Sequence, residues 1–147
     1  MRWAFYLSVL LFFLSCGTDI PFDQELYLKR PTGLSVTAIA DKKMSVTYYV
    51  QNQEATFDGY NLLIDRLTIG DGNAQTMEPL TIDGGVPTFQ HSPSDYNINT
   101  PRTAIISRFT NVLPFEVGTT YFFRLQAHSR KGVRSEASNE VSATAFQ

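Results

Sequence analysis

From Pro31 onward the side chains change polarity at every second residue. Leu34, Val36 and Ala38 fall on one side of an extended chain, with Ser35, Thr37 and Ile39 on the other. Met44, Val46 and Tyr48 alternate in the same way with Ser45, Thr47 and Tyr49. The pattern returns at Tyr60, Leu62 and Ile64, and again at Tyr121, Phe123, Leu125 and Ala127. A period of two puts alternate side chains on opposite faces of a strand, so these runs predict half-buried antiparallel strands. Gly, Asp, Asn and Pro clusters separate the runs, and no stretch of ten residues carries apolar positions at the spacing of a helical face. The expectation is an all-β chain, two antiparallel sheets packed face to face.

The amino-terminal pattern is of another kind. Arg2 precedes an apolar run, Trp3 to Leu14, interrupted only by Ser8, and Ser15-Cys16-Gly17 follows it. Crossing a bilayer takes about 20 apolar residues, so the run is too short for a transmembrane helix. It also lacks the polar stripe of a surface helix, and it has the length and flanks of a secretory signal. Phe13-Leu14-Ser15-Cys16 resembles the lipobox of bacterial lipoproteins, where the cysteine thiol is lipidated and becomes the mature N-terminus. The resemblance implies a signal peptide over residues 1–15, lipidation at Cys16 and attachment to the membrane through that lipid anchor. The expected location is a bacterial cell envelope, at the outer membrane, its periplasmic face or the cell surface. One acyl chain holds a protein only marginally and several hold it stably, so such an anchor needs no apolar patch on the domain. Residues 16–30, with turn formers and no sustained period, read as the lipidated N-terminus and a tether, and residues 31–147 as the domain.

Composition narrows the class. A chain of 147 residues suits one domain. Its 43% hydrophobic, 18% charged and 13% aromatic content is globular, and a single Cys excludes a disulfide scaffold. A net charge of −2 offers no basic footprint, so nucleic acid is not an expected partner.

Several segments together resemble the fibronectin type III domain. Pro31-Thr32-Gly33-Leu34-Ser35-Val36 is similar to that family's opening strand, and Met44-x-Val46-x-Tyr48 to its second, with Tyr48 where Trp is usual. Phe57-Asp58-Gly59-Tyr60 resembles the start of its third strand, and Phe115-Glu116-Val117-Gly118-Thr119-Thr120-Tyr121 has the spacing of its tyrosine corner. Ala127, Gly132, Ser135 and Ser138 fall where its last two strands carry such residues. The resemblance implies an immunoglobulin-like β-sandwich over roughly residues 30–146, with Tyr121, Gly118 and Thr119 in a structural role. In such a corner the Tyr121 hydroxyl would bond the backbone near Phe115 or Glu116 while its ring fills the core. Residues 67–104 read as an extended insertion after the third strand, and as the place for behaviour particular to this chain. Within it, Leu80-Thr81-Ile82 and Val86-Pro87-Thr88-Phe89 flank Asp83-Gly84-Gly85 as a hairpin whose prolines confine it to a sheet edge.

Candidate chemistry is sparse. Asp71-Gly72-Asn73 and Asp83-Gly84 invite a calcium reading, but no bidentate Glu follows at EF-hand spacing, and turn formation explains both. His91 and His128 have no Cys or His partner at metal-ligand spacing, and His128, on the outward register, is expected to be a solvated surface residue. No nucleophile elbow, phosphate loop or dinucleotide fingerprint occurs in the sequence. The expectation is therefore a non-catalytic module with no metal and no cofactor. Arg130, Lys131 and Arg134, around Gly132, and the outward Phe122 are candidate contacts for an acidic protein or glycan. An alternative is an accessory domain or small enzyme acting on carbohydrate or envelope polymer, for which a pocket of converging Asp, Glu or His residues would speak.

Overall fold

A computed structural model describes residues 27–68, 79–81 and 85–147. The leader, Cys16 and most of the tether, as well as Asp71-Gly72-Asn73 and Asp83-Gly84, lie outside the described residues. The elements are almost all strands: β1 (Ser35–Ile39), β2 (Lys43–Val50), β3 (Phe57–Asp65), β4 (Pro79–Leu80), β5 (Phe89–Gln90), β6 (Asn97–Ile106), β7 (Thr120–Ser129), β8 (Arg134–Ala137) and β9 (Val141–Thr144). Among the described residues one 3-10 turn, Pro93–Asp95, precedes β6.

They form two antiparallel sheets. One has the order β1-β2-β6; in the other, β3 and β7 lie at the centre, flanked by β4 and β5 on one side and by β8 and β9 on the other. Each flank is one edge strand in two pieces. Serine side chains bond β7 where this edge is irregular: Ala127 N–H donates to Ser135 Oγ at 3.0 Å at the register shift within β8, and Leu125 N–H to Ser138 Oγ at 2.8 Å in the break between β8 and β9.

β4 and β5 do not form the hairpin expected from Leu80 to Phe89. Both run antiparallel to β3, through Leu62–Leu80 and Leu63–Pro79 for β4 and Gly59–Gln90 and Tyr60–Phe89 for β5, so they follow one another along the same edge. The pairing stops between them, where Thr88 uses its side chain instead. Its Oγ1 accepts from Leu62 N–H at 3.0 Å and donates to the Leu80 carbonyl. Pro79 does sit on an edge strand, as its missing N–H demands.

The insertion is also shorter than its expected 67–104. Residues from Asn97 belong to β6, a strand concealed in the sequence by polar residues and Pro101. Register slips there: Tyr48 pairs with Arg102 and Val50 with Asn97, so four β6 residues bulge out against Tyr49 alone. Asn97 Oδ1 holds the bulge by accepting from Asn99 N–H and Thr100 N–H, both at 2.9 Å.

The domain begins earlier than Pro31. Leu28 is buried in the core, and Lys29 N–H donates to Glu54 Oε1 at 2.6 Å, so the last part of the expected tether is structural.

Between the sheets lie two aromatic clusters. Tyr48 stacks on Phe89 with ring centroids 4.6 Å apart, and Tyr60 meets Phe57 edge-on at 5.0 Å. At the opposite end Tyr121 contacts Phe115 at 4.9 Å and Phe109 at 5.1 Å. Such offset and edge-on pairs suit the ring quadrupole, and each fully buried side chain of this size stabilises the fold by about 1.5–3 kcal/mol. Alternation holds on β2 but not on β3 or β7, which are buried on both faces. On their outer face Leu63 packs with Ala137 and Phe122, Gln126 Nε2 donates to the Ser135 carbonyl at 2.9 Å, and Arg124 faces Glu140 at 3.5 Å.

Tyr121 closes its end of the sandwich. Its buried hydroxyl accepts from Glu116 N–H at 2.9 Å. Gly118 takes φ +79° in the turn that makes this possible, and Thr119 N–H donates to the Glu116 carbonyl at 3.1 Å. Replacing Tyr121 by Phe is expected to reduce unfolding free energy in urea by about 1–3 kcal/mol, because Glu116 N–H loses its partner while the ring stays.

Candidate functional site

The end of the sandwich where the chain enters gathers most of the polar side chains that could act. Tyr60 at the start of β3 is its centre. The buried hydroxyl accepts from Gln51 N–H at 2.8 Å and donates to Asn52 Oδ1 at 2.9 Å. Asn52 in turn donates through Nδ2 to the Lys29 carbonyl at 3.0 Å, tying the incoming chain to the core. Burial pushes the Tyr60 hydroxyl up to about 12 and that of Tyr48 likewise to about 12, so both stay protonated donors.

His91, just after β5, points into this aromatic cluster. Its Nε2 lies 2.9 Å from the Tyr48 hydroxyl and its Nδ1 3.9 Å from Asp95. Asp95 caps the 3-10 turn, accepting from Ser92 N–H at 2.7 Å and from Ser92 Oγ at 2.9 Å, and these bonds hold its carboxyl below the usual range. Burial lowers the His91 pKa, Asp95 opposes that shift and Arg102 adds to it. A histidine that protonates less readily folded than unfolded costs stability as pH falls through the unfolded value of about 6.5, until the folded form protonates too. Melting temperature is therefore expected to fall over that window, and His91→Gln to remove part of the slope.

His128 is not the solvated residue that its register suggests. Its Nδ1 sits 2.8 Å from Asp58 Oδ1, and the two side chains are 15% and 23% exposed. Asp58 is the extra residue where β3 shifts register between Phe57 and Gly59, and the bulge turns it toward the β7 side chain. No spacing in the sequence relates these residues, 70 positions apart; the aspartate before a glycine at a strand start was the available sign.

Arg130 and Lys131 are exposed in the turn between β7 and β8, where Gly132 has φ +77°, and Arg134 is exposed at the first position of β8. Arg130 N–H donates to the Thr56 carbonyl at 3.0 Å, which places this basic turn beside the connection between β2 and β3, and Arg30 of the incoming chain lies 3.9 Å from Glu136 in β8. Phe122 does not join them. It is half-buried near the other end of β7, packed on Leu63 and Ala137. Among the described residues no group of three or more His, Cys, Asp or Glu side chains could hold a metal ion, and no helix is long and apolar enough to cross a membrane.

This geometry has a family. A model described as LIC11073-like matches residues 35–147, which is every strand described above. The chain belongs to the LIC11073-like family. No curated protein matches this LIC11073-like chain. Among solved structures it is similar to the third fibronectin III domain of the human KIAA0343 protein, with 17% identity and a TM-score of 0.52 over 90% of this chain and 94% of that one. That likeness shows a fibronectin type III-like sandwich for the LIC11073-like fold. The chicken CNTN1 FN1-FN3 structure is 15% identical with a TM-score of 0.47, and the match covers 82% of this chain and 33% of that one. An alpha-L-rhamnosidase from Dictyoglumus thermophilum is 10% identical with a TM-score of 0.49, and the match covers 82% of this chain and 13% of that chain.

Proposed function

We propose that this is a lipid-anchored protein of a bacterial cell envelope whose fibronectin type III-like sandwich is a non-catalytic binding or scaffolding module. The observation that carries the anchor is the position of the one cysteine, Cys16, directly after a small residue at the end of the apolar run Trp3 to Leu14. The fold is consistent with what such an anchor needs. Leu28 and Lys29 are fastened at one end of the sandwich, so the intervening chain could reach at most about 40 Å from Cys16 to the domain. Lipid then supplies the membrane affinity and the sandwich needs none.

The module reading rests on where the ionisable side chains are spent. Asp58 and His128 hold one another, His91 and Asp95 belong to the Tyr48 cluster and the Ser92 turn, and Glu116 faces Arg66 at 2.7 Å. These groups are fastened into structure at separate places instead of converging on one cleft. The exposed basic residues Arg130, Lys131 and Arg134 carry charge that suits acidic groups on a protein or glycan close to the anchoring surface.

The anchor is tested by growing cells with radiolabelled palmitate and expressing the wild type and Cys16→Ala. Label is expected on the wild type and absent from Cys16→Ala, and globomycin should make the wild type accumulate with its leader. Label retained by Cys16→Ala would refute the reading.

A further inference from the structure

The two sheets leave a cleft between open strand edges. β6 pairs with β2 on one side and, among the described residues, with no strand on the other. Facing it are Leu80 and Thr88 of the β4–β5 edge, and together with Ile105, Ile106, Arg108 and Asn111 they line a space of about 390 Å³. That volume is in the range of ligand clefts.

The edge itself is unusually bare. Open strands are ordinarily blunted by proline, bulges or charge, because their bare N–H and C=O groups template further pairing. In β6 the bulge and Pro101 blunt only the first half. The second half pairs regularly with β2 from Arg102–Tyr48 to Ile106–Met44, and its last four residues, Thr103-Ala104-Ile105-Ile106, carry no charge and no proline. Alternate residues of a regular antiparallel pair turn their N–H and C=O away from the partner, here toward the cleft side. Ile105 stands 63% exposed beside them. Among the described residues Arg108 is the one charged residue of the lining, and its Nη1 donates to the Asn111 carbonyl at 3.1 Å.

We propose that Thr103–Ile106 accepts an extended, β-branched peptide segment of a partner protein, which adds a fourth strand to the β1-β2-β6 sheet. Main-chain hydrogen bonds to the β6 edge supply the affinity, and the cleft takes alternate side chains. A segment lying antiparallel to β6 places its N-terminal end near Arg108, so a carboxylate at that end is the favoured partner chemistry. This deepens the binding-module reading by naming a class of partner, and it does not depend on the lipid at Cys16.

The probe is a fluorescein-labelled peptide, acetyl-Glu-Thr-Val-Thr-Val-Thr-Lys-amide with the dye on the lysine. It is titrated by anisotropy with the full chain in nonionic detergent, with detergent alone as the blank. Two further peptides carry N-methyl groups on one or the other set of alternate backbone amides. Saturable binding is expected, weakened at least tenfold by one methylated set and little by the other, since only one set faces β6. Ile105→Lys should weaken it at least tenfold and Arg108→Glu several-fold, with melting temperatures showing that both variants fold. Equal binding of the two methylated peptides, or binding undiminished in a folded Ile105→Lys, would overturn the proposal. Absence of binding to millimolar chain would do the same, and so would self-association of the chain that displaces the peptide, since the edge would then be filled by a second copy. Palmitate labelling at Cys16 is unaffected by any of these results, so failure here and failure of the anchor are separate.

Discussion

Gly59→Ala is expected to lower the unfolding free energy by about 3–5 kcal/mol, from forbidden backbone and overpacking together. Gly59 sits at the register shift of β3 with φ +147°, a conformation L-residues avoid. A Cβ there would run into the Phe89 carbonyl oxygen and stand 3.0 Å from Pro87 Cγ and 3.1 Å from Gln90 Cα. All three are backbone or ring atoms in or next to β5, which cannot turn aside as the end of a flexible side chain can. The edge must detach or β3 must move, and either exposes Phe89 and the Tyr48 cluster behind it. Gly85→Ala is the matched control. Gly85 also has positive φ, +78°, but nothing lies within 4 Å of its added Cβ, so only the backbone cost of about 1 kcal/mol remains. Urea unfolding followed by circular dichroism separates the two; equal losses would show that crowding at Gly59 is unimportant.

Tyr60→Ala is expected to cost about 3–5 kcal/mol, the usual range for removing a fully buried ring, and Tyr60→Phe about 1–3 kcal/mol. The difference between the variants divides the ring from the hydroxyl. Without the hydroxyl, Asn52 Oδ1 loses a donor and Gln51 N–H loses an acceptor in the same stroke. Asn52 also holds the Lys29 carbonyl, so the loss should spread to the incoming chain. Amide hydrogen exchange at Lys29 and Arg30 is expected to quicken in Tyr60→Phe, while exchange at the far end near Glu116 stays as it was. An unchanged Lys29 would mean that the incoming chain is held by Leu28 packing alone.

The sandwich was legible in the sequence where burial is one-sided. β1 and β2 alternate because one face meets the core and the other water, and the Tyr121 segment carries its own turn chemistry in Gly118. The edges were harder to read. β6 has six consecutive exposed residues and a proline, so hydrophobic periodicity has nothing to register there. The pieces β4 and β5 are two residues each and owe their places to β3, not to each other, which a local hairpin pattern around Gly85 does not reveal. The polar site was less legible still. His128 with Asp58 and His91 with Tyr48 are pairings made by strand register and a bulge, over separations of 70 and 43 residues, and single-residue features do not announce them. The basic turn at Arg130, Lys131 and Arg134 is visible in the sequence as a charged glycine turn; Phe122 does lie on the outward register of β7, but the alternation does not show that this outer face is itself packed.

The central proposal, an acylated Cys16 that tethers the sandwich to a membrane, is met most directly by the mass of the amino-terminal peptide. The chain is purified from the membrane fraction, digested with trypsin, and its first peptide weighed. The account predicts a peptide that begins at Cys16 and is heavier than its sequence by a diacylglyceryl group, with or without a further amide-linked chain. A peptide of unmodified mass, or one beginning at another residue, would contradict it.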